Sequence, residues 1–271
     1  MSERATTGRL PVRKTYKLFI GGAFPRSESG RTLELEGHNV ARASRKDARD
    51  AVVAARQGFA AWSGATAYNR GQVLYRLAET METRLGALAA VCTGRREVAR
   101  AIDRVVWYAG WADKLAQVLG SSNPVAGPYF NFTQPEPTGV VAVVAPDEPP
   151  LDGLVARVVP ALVGGNAVVA IASESHPLAA IELAEALATA DVPGGVVNIV
   201  TGLRDELAPV VASHMDVNAL DVTGADGEVA ELERLAADNV KRVVRGAADG
   251  QSAWEISRFL ELKTVWHPIG V

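Results

Sequence analysis

Between residues 44 and 119, apolar side chains recur every three or four positions. Ala48, Val52, Ala55 and Phe59 form one such series; Val73, Leu74, Leu77, Met81, Leu85 and Leu88 form a second. Val98, Ile102, Val105 and Ala109 form a third, with Leu115 and Leu119 beyond it. This spacing lines one face of successive helices, and Ser44 is placed to cap the first. From Pro135 the texture changes to short continuous apolar runs at 139–145 (GVVAVVA), 167–171 (AVVAI), 195–200 (GVVNIV), 219–223 and 240–244. Runs of that kind predict strands buried on both faces of a parallel sheet. The stretches between them predict helices near 151–163, 177–190, 205–213 and 227–237. The expected fold is α/β, a Rossmann-like doubly wound parallel sheet preceded by N-terminal helices.

Both ends depart from this alternation. Residues 1–15 predict a flexible tail. Residues 16–23, turning at Gly21-Gly22, and 24–35, turning at Ser29-Gly30, predict small hairpins. Near the C-terminus Leu260, Leu262, Thr264 and Trp266 alternate with Glu261, Lys263 and Val265, which predicts a strand. An isolated strand cannot satisfy its backbone, so it must pair within this chain or with a second one. Residues 129–133 (YFNFT) are the local candidate. The expected divisions are thus a tail at 1–15, hairpins and helices at 16–128, an oligomerisation segment at 129–138, βα units at 139–250 and an oligomerisation strand at 251–271.

Composition narrows the function. The chain has 271 residues, 28 Lys+Arg against 31 Asp+Glu, and a formal charge of −3, which excludes a strongly basic nucleic-acid binder. No apolar stretch is long enough to span a membrane. The polar, basic N-terminus lacks the apolar core of a secretory leader, so a cytoplasmic location is expected. The single cysteine, Cys92, excludes a disulfide framework, and His38, His176, His214 and His267 show no metal-ligand spacing. His176 and His267, each followed by proline, are polar turn residues. Arg95 and Arg96 belong to a solvated helix start, and Gly164-Gly165-Asn166 to a helix-ending turn.

Several segments carry a resemblance: KLFIGGAF (17–24), YAGWADKL (108–115), EPTGVVAVVAP (136–146) and PALVGGNAVV (160–169). SESHPLAA (173–180), VPGGVVNIVTG (192–202), VTG (222–224) and LELKTVWHPIG (260–270) continue it in order. Together they resemble the aldehyde dehydrogenase superfamily, and most of all the non-catalytic second module of two-module aldehyde dehydrogenases. The family's chemistry needs a thiolate nucleophile, an oxyanion donor, a general base and NAD(P). Where the resemblance implies the oxyanion-holding asparagine, this chain has Glu148, flanked by Asp147, and a carboxylate there repels a developing oxyanion. The domain that would supply thiol and base is expected to be missing, because the sequence passes from VKRVV directly towards the terminal strand. Cys92 lies far upstream and is expected to be a small hydrophobic filler.

The resemblance also places a nucleotide site. The lysine that would hold the adenosine ribose is Ile171 here, while its partner acid survives as Glu174, either a vestigial ribose ligand or a helix-capping acid. Gly224 is the second vestigial cofactor position. The turn that would receive the pyrophosphate carries Asp226 and Glu228. At about 4 Å and an effective dielectric near 20, a carboxylate costs a phosphate about 4 kcal/mol. A helix N-terminus returns only about 0.3–1 kcal/mol. No cofactor is therefore expected, and weak NAD(P) binding at most.

These expectations describe a catalytically degenerate, aldehyde-dehydrogenase-like structural or regulatory subunit. Its partners would be copies of itself or a full-length aldehyde dehydrogenase, with no nucleic acid and no membrane. Leu260, Leu262, Thr264 and Trp266 would carry the assembly by joining a sheet across a subunit boundary. A chain without the second domain is also expected to leave an apolar face of its Rossmann-like layer bare. Two alternatives stand beside this one. The chain could complete or tune a partner's active site in an NAD(P)-dependent complex, or sense a small ligand in the cleft around Asp147, Glu148 and Asp226.

Overall fold

A computed structural model describes residues 14–35, 37–247 and 250–270. The described chain opens on three short strands, β1 (Thr15–Tyr16), β2 (Thr32–Leu35) and β3 (His38–Ala41). β3 is central, antiparallel to β2 and parallel to β1. This corrects the expected pair of hairpins. Gly21 and Gly22 do turn the chain with positive φ, but they close only the single bridge Ile20–Ala23. The reason is long-range: Phe19 exchanges both backbone hydrogen bonds with Ile199, at 2.9 and 2.7 Å. The true hairpin, β2–β3, turns instead at Gly37, whose φ is 77°. Most of the expected tail lies outside the described residues, and Thr15 already belongs to β1.

Five helices follow: α1 (Arg45–Gly64), α2 (Ala67–Thr83), α3 (Leu85–Ala90), α4 (Arg95–Ala109) and α5 (Leu115–Leu119). Ser44 starts α1 through a capping box: its hydroxyl accepts from Asp47 N at 3.2 Å, and Asp47 Oδ2 accepts from Ser44 N at 2.7 Å. Arg95 and Arg96 are exposed at the start of α4, as expected. Glu97 beside them is buried and reaches another helix, accepting from Leu151 N and Asp152 N at 2.7 and 3.1 Å.

After β4 (Ser121–Asn123) and β5 (Tyr129–Pro137) the βα alternation begins. It runs β6 (Val140–Val144), α6 (Pro150–Val163), β7 (Ala167–Ile171), α7 (Pro177–Leu187), β8 (Val197–Val200) and α8 (Arg204–Ser213). Next come β9 (Ala219–Asp221), α9 (Val229–Ala237) and β10 (Arg242–Val244). The sheet order is β10-β9-β6-β7-β8, every pair parallel, so the doubly wound expectation holds. The apolar runs are continuous because each strand feeds two cores. Val141 and Val143 pack with α2, α4, α6 and α7 on one face; Val140, Ala142 and Val144 pack with α1, α8 and α9 on the other.

One backbone position is strained. Val240, just past α9, has φ 57° and is 90% exposed. A β-branched residue there bears the left-handed penalty with no packing in return. Val240→Gly is expected to stabilise the chain by about 1 kcal/mol. A urea midpoint that falls would show that the side chain packs usefully after all.

Residues 245–247 and 250–259 form a strap that includes the unanticipated α10 (Ala253–Ser257). The chain then enters β11 (Leu260–Pro268), which pairs antiparallel with β5 over nine residues, from Leu260↔Pro137 to Pro268↔Tyr129. The local candidate is thus the strand's partner on that side, which corrects the expectation of a pairing made across a subunit boundary there. The bare Rossmann-like face is also corrected. All of α6 is buried, and Ile256 and Phe259 of the strap are fully enclosed. Exposed apolar side chains lie on β5 and β11, and also at Tyr68, Tyr75 and Val106 of α2 and α4 and at Trp254 of the strap.

Candidate functional site

In an open parallel sheet, ligands enter the crevice outside the carboxyl ends of the strands, where the strand order reverses. Here that point lies between β6 and β9. Gly224 brings the two following loops into backbone contact: its N–H donates to Val144 O at 3.0 Å. A Cβ on Gly224 would stand 2.1 Å from Ala145 O. The glycine is therefore needed for close packing. Beyond it, Thr223, Asp226, Gly227 and Arg245 border an open hollow of about 400 Å³. Asp226 is exposed at its wall, and Glu228, the residue before α9, has a buried Oε2 without a hydrogen-bond partner.

On the other side of β6 the loops are tied by ionic bonds. Asp147 Oδ1 accepts from Ser173 Oγ at 2.7 Å and from Glu174 N at 3.0 Å, and pairs with Arg204 Nη2 at 3.1 Å. Burial works to raise the Asp147 pKa, but the Ser173 hydroxyl and the Arg204 charge outweigh it, leaving the carboxyl below its ordinary range. The stability it contributes is therefore present above the usual aspartate pKa and is lost as pH falls through the lowered value. Glu174 Oε2 accepts from Arg204 N at 2.9 Å, at the first turn of α8, so Glu174 serves as the helix-capping acid. Ile171 is fully buried in the sheet core, and Glu148 is exposed to solvent on the turn before α6. Asp147 and Glu174 are thus brought together; Glu148, Asp226 and Glu228 sit elsewhere along the same rim. Arg204 and Ser173 were not singled out from sequence, because their bonds join residues 26 to 57 positions apart (173 − 147 and 204 − 147).

Cys92 behaves as a filler. Burial, then the charges of Glu97 and Glu182, push its thiol up to about 12, so it remains protonated at neutral pH. Among the described residues no group of three His, Cys, Asp or Glu could hold a metal ion.

The second feature is the three-stranded sheet, order β11-β5-β4. Leu262, Val265, Trp266, Tyr129 and Phe130 are between 41% and 59% exposed. Cross-strand contacts hold it together: Tyr129 and Trp266 meet edge to face at 5.8 Å, the Thr133 and Thr264 hydroxyls lie 3.1 Å apart, and Lys263 pairs with Glu136. The outer edge of β11 has no strand beside it among the described residues.

Comparison with known proteins accounts for this architecture. The aldehyde dehydrogenase family model matches residues 33–265. A cytosolic aldehyde dehydrogenase of Elephantulus edwardii is 34% identical over 249 residues, 84% of this chain and 49% of that protein. A putative aldehyde dehydrogenase from Burkholderia cenocepacia superposes with a TM-score of 0.80 at 32% identity, over 85% of this chain and 50% of that one. An NAD+ complex of aldehyde dehydrogenase from Bacillus cereus superposes with a TM-score of 0.77 at 27% identity, over 85% and 50%. The chain thus spans about half the length of the curated relatives it matches. On the family match, the sequence identity and the shared fold, the chain belongs to the aldehyde dehydrogenase family.

Proposed function

We propose that this chain is a non-catalytic assembly subunit, joining copies of itself or a full-length aldehyde dehydrogenase through the β5–β11 sheet. One observation carries the reading: a small sheet presents aromatic and aliphatic side chains and an open strand edge that no other part of the described chain covers. A few strands without a buried face are marginal in water, and an apolar patch of this kind marks a contact surface. The catalytic inventory supports the same reading. Cys92 is held protonated, and Glu148 stands where the family's oxyanion donor would be.

The residues also do not suit NAD(P). The position for a ribose-binding lysine is Ile171, sealed in the core, and the Glu174 carboxylate already caps α8. Asp226 and Glu228 bring negative charge to the turn where a pyrophosphate would rest.

The test is the mass of the intact chain by native mass spectrometry, alone and mixed with a full-length relative. A stable homo-oligomer or a mixed complex is expected; a monomer that ignores the relative sinks the reading. In parallel, no aldehyde-dependent reduction of NAD+ or NADP+ is expected, with dinucleotide Kd values in the millimolar range. Micromolar affinity by calorimetry would overturn the cofactor-free part. Any residual affinity should rise in Asp226→Ser, which removes the exposed carboxylate and leaves the core untouched.

A further inference from the structure

Three consecutive strand ends in this molecule are joined in a closed ring of polar bonds. Asp147, in the loop after β6, holds the loop after β7 through Ser173 Oγ and Glu174 N. Ser173 Oγ in turn accepts from His176 N at 2.9 Å, which fixes the rest of that loop. Glu174 holds the start of α8, after β8, through Arg204 N. Arg204 closes the ring by returning to the first loop, with Nη2 3.1 Å from Asp147 Oδ1 and 3.5 Å from Ala145 O. Its side chain is only 13% exposed, so the guanidinium lies within the crevice and is not a solvated surface group.

Each member is committed twice. Asp147 cannot turn towards a ligand without releasing Ser173, Glu174 and Arg204 together. Glu174 cannot accept from a sugar hydroxyl without uncapping α8. Ordinary surface ion pairs contribute little because both partners keep their solvation. This one differs on the arginine side: a largely buried guanidinium, the Ser173 hydroxyl and the Glu174 N–H share a single oxygen of Asp147, whose side chain is 37% exposed, and charge-assisted bonds to a partly desolvated group are the stronger ones.

We propose that the Asp147–Ser173–Glu174–Arg204 ring is a built-in bolt on the β7 side of the strand-end crevice, which fixes the three strand-end loops without a cofactor and engages Glu174, the acid that the resemblance would give to a ribose. This deepens the cofactor-free reading above and rests on it. Arg204 is the positioning residue of the bolt: its side chain reaches the first loop and its backbone N–H the second. Nothing in the proposal depends on whether the β5–β11 sheet assembles.

Amide hydrogen exchange on the full chain tests it, comparing wild type with Arg204→Ala, Arg204→Lys and Asp147→Asn. If the ring is a unit, Arg204→Ala speeds exchange roughly tenfold in 145–147 and 172–176 as well as at its own helix start. Asp147→Asn keeps an acceptor for Ser173 and Glu174 N while losing the ion pair, so its effect should be smaller and in the same segments. Arg204→Lys keeps the charge and serves as the folded comparison should the alanine variant misfold; partial rescue towards wild type is expected. Acceleration confined to 203–206 in these variants overturns the bolt while leaving the cofactor-free reading in place. Protection of 172–176 in wild type by NAD+ at about 10 μM overturns both.

Discussion

Arg157→Ala is expected to lower the stability of the chain by about 3–5 kcal/mol, a large part of what a domain of this size possesses. Arg157, on α6, is fully buried, and its fork divides between two acids. Nε donates to Asp221 Oδ2 and Nη1 to Glu255 Oε2, each at 2.7 Å, with Asp221 fully buried and Glu255 nearly so. Burial alone would lower the Arg157 pKa, but the two carboxylates outweigh it and hold the guanidinium charged. Alanine would leave two buried carboxylates facing each other without a cation, the costly half of a broken buried ion pair. The loss should also spread along the chain. Glu255 lies in the strap, and Gly246 passes so close that a Cβ there would stand 2.1 Å from Arg157 Nη1. A second tie, Arg104 to Asp152 at 2.7 Å and to Gly250 O at 2.8 Å, also holds the strap to the α4–α6 layer. Urea unfolding followed by far-UV circular dichroism measures the loss. A change below about 1 kcal/mol would mean that water reaches the acids and that the network is solvated. Replacing the whole triad with apolar residues (Arg157→Met, Asp221→Val, Glu255→Leu) should recover most of the stability, because no unpaired charge then remains.

That triad also shows where sequence reasoning stops. Continuous apolar runs identify β6 to β9, because a strand buried on both faces is mostly apolar, with Asn198 of β8 and Asp221 of β9 as the buried polar exceptions. Ser44 and Asp47 reveal the start of α1 because a capping box is local, spanning three residues. The crevice is different. Asp147 stands out beside the oxyanion position and Glu174 as the surviving ribose acid, yet what they do is set by Arg204, whose contribution depends on three loops meeting. Glu174 had two readings from sequence, and only the bond from Arg204 N assigns it to the α8 cap. Glu148 and Asp147 are adjacent in sequence, but their surroundings differ: Asp147 bonds to the neighbouring loops and Glu148 is exposed to solvent. The strap was illegible for a similar reason. Its five-residue α10 carries no side-chain cap, and Ile256 and Phe259 are too few to show a period.

Thr264→Pro is expected to dissociate the assembly while leaving the chain folded. The hydrogen-bond phase of the small sheet supports this. Thr138 N donates to Phe259 O at 3.2 Å and Ile269 N to Pro128 O at 2.8 Å, which sets the antiparallel ladder. Residues Glu261, Lys263, Val265 and His267 then exchange bonds with β5, while Leu262, Thr264 and Trp266 direct their N–H and C=O groups at the open edge. The opposite edge of the sheet is less inviting. β4 covers only Asn131 to Thr133 of β5, and further along Pro135 and Pro137 lack the N–H that a new strand would need. The outer edge of β11 is the one prepared for a partner. Proline at 264 deletes an outward donor and places its ring where an incoming strand would lie; it removes no backbone bond to β5, only the hydroxyl contact with Thr133. With one or two intersubunit bonds lost, association should weaken roughly 5- to 100-fold, read as a shift of mass with concentration by light scattering. Lys263→Pro is the internal control: it removes an inward bond and should loosen β11 from β5, exposing the 260–268 amides to exchange. If Thr264→Pro matches wild-type mass at every concentration, the subunit contact does not run along this edge, and the exposed faces around Trp266 and Phe130 must carry it without strand pairing.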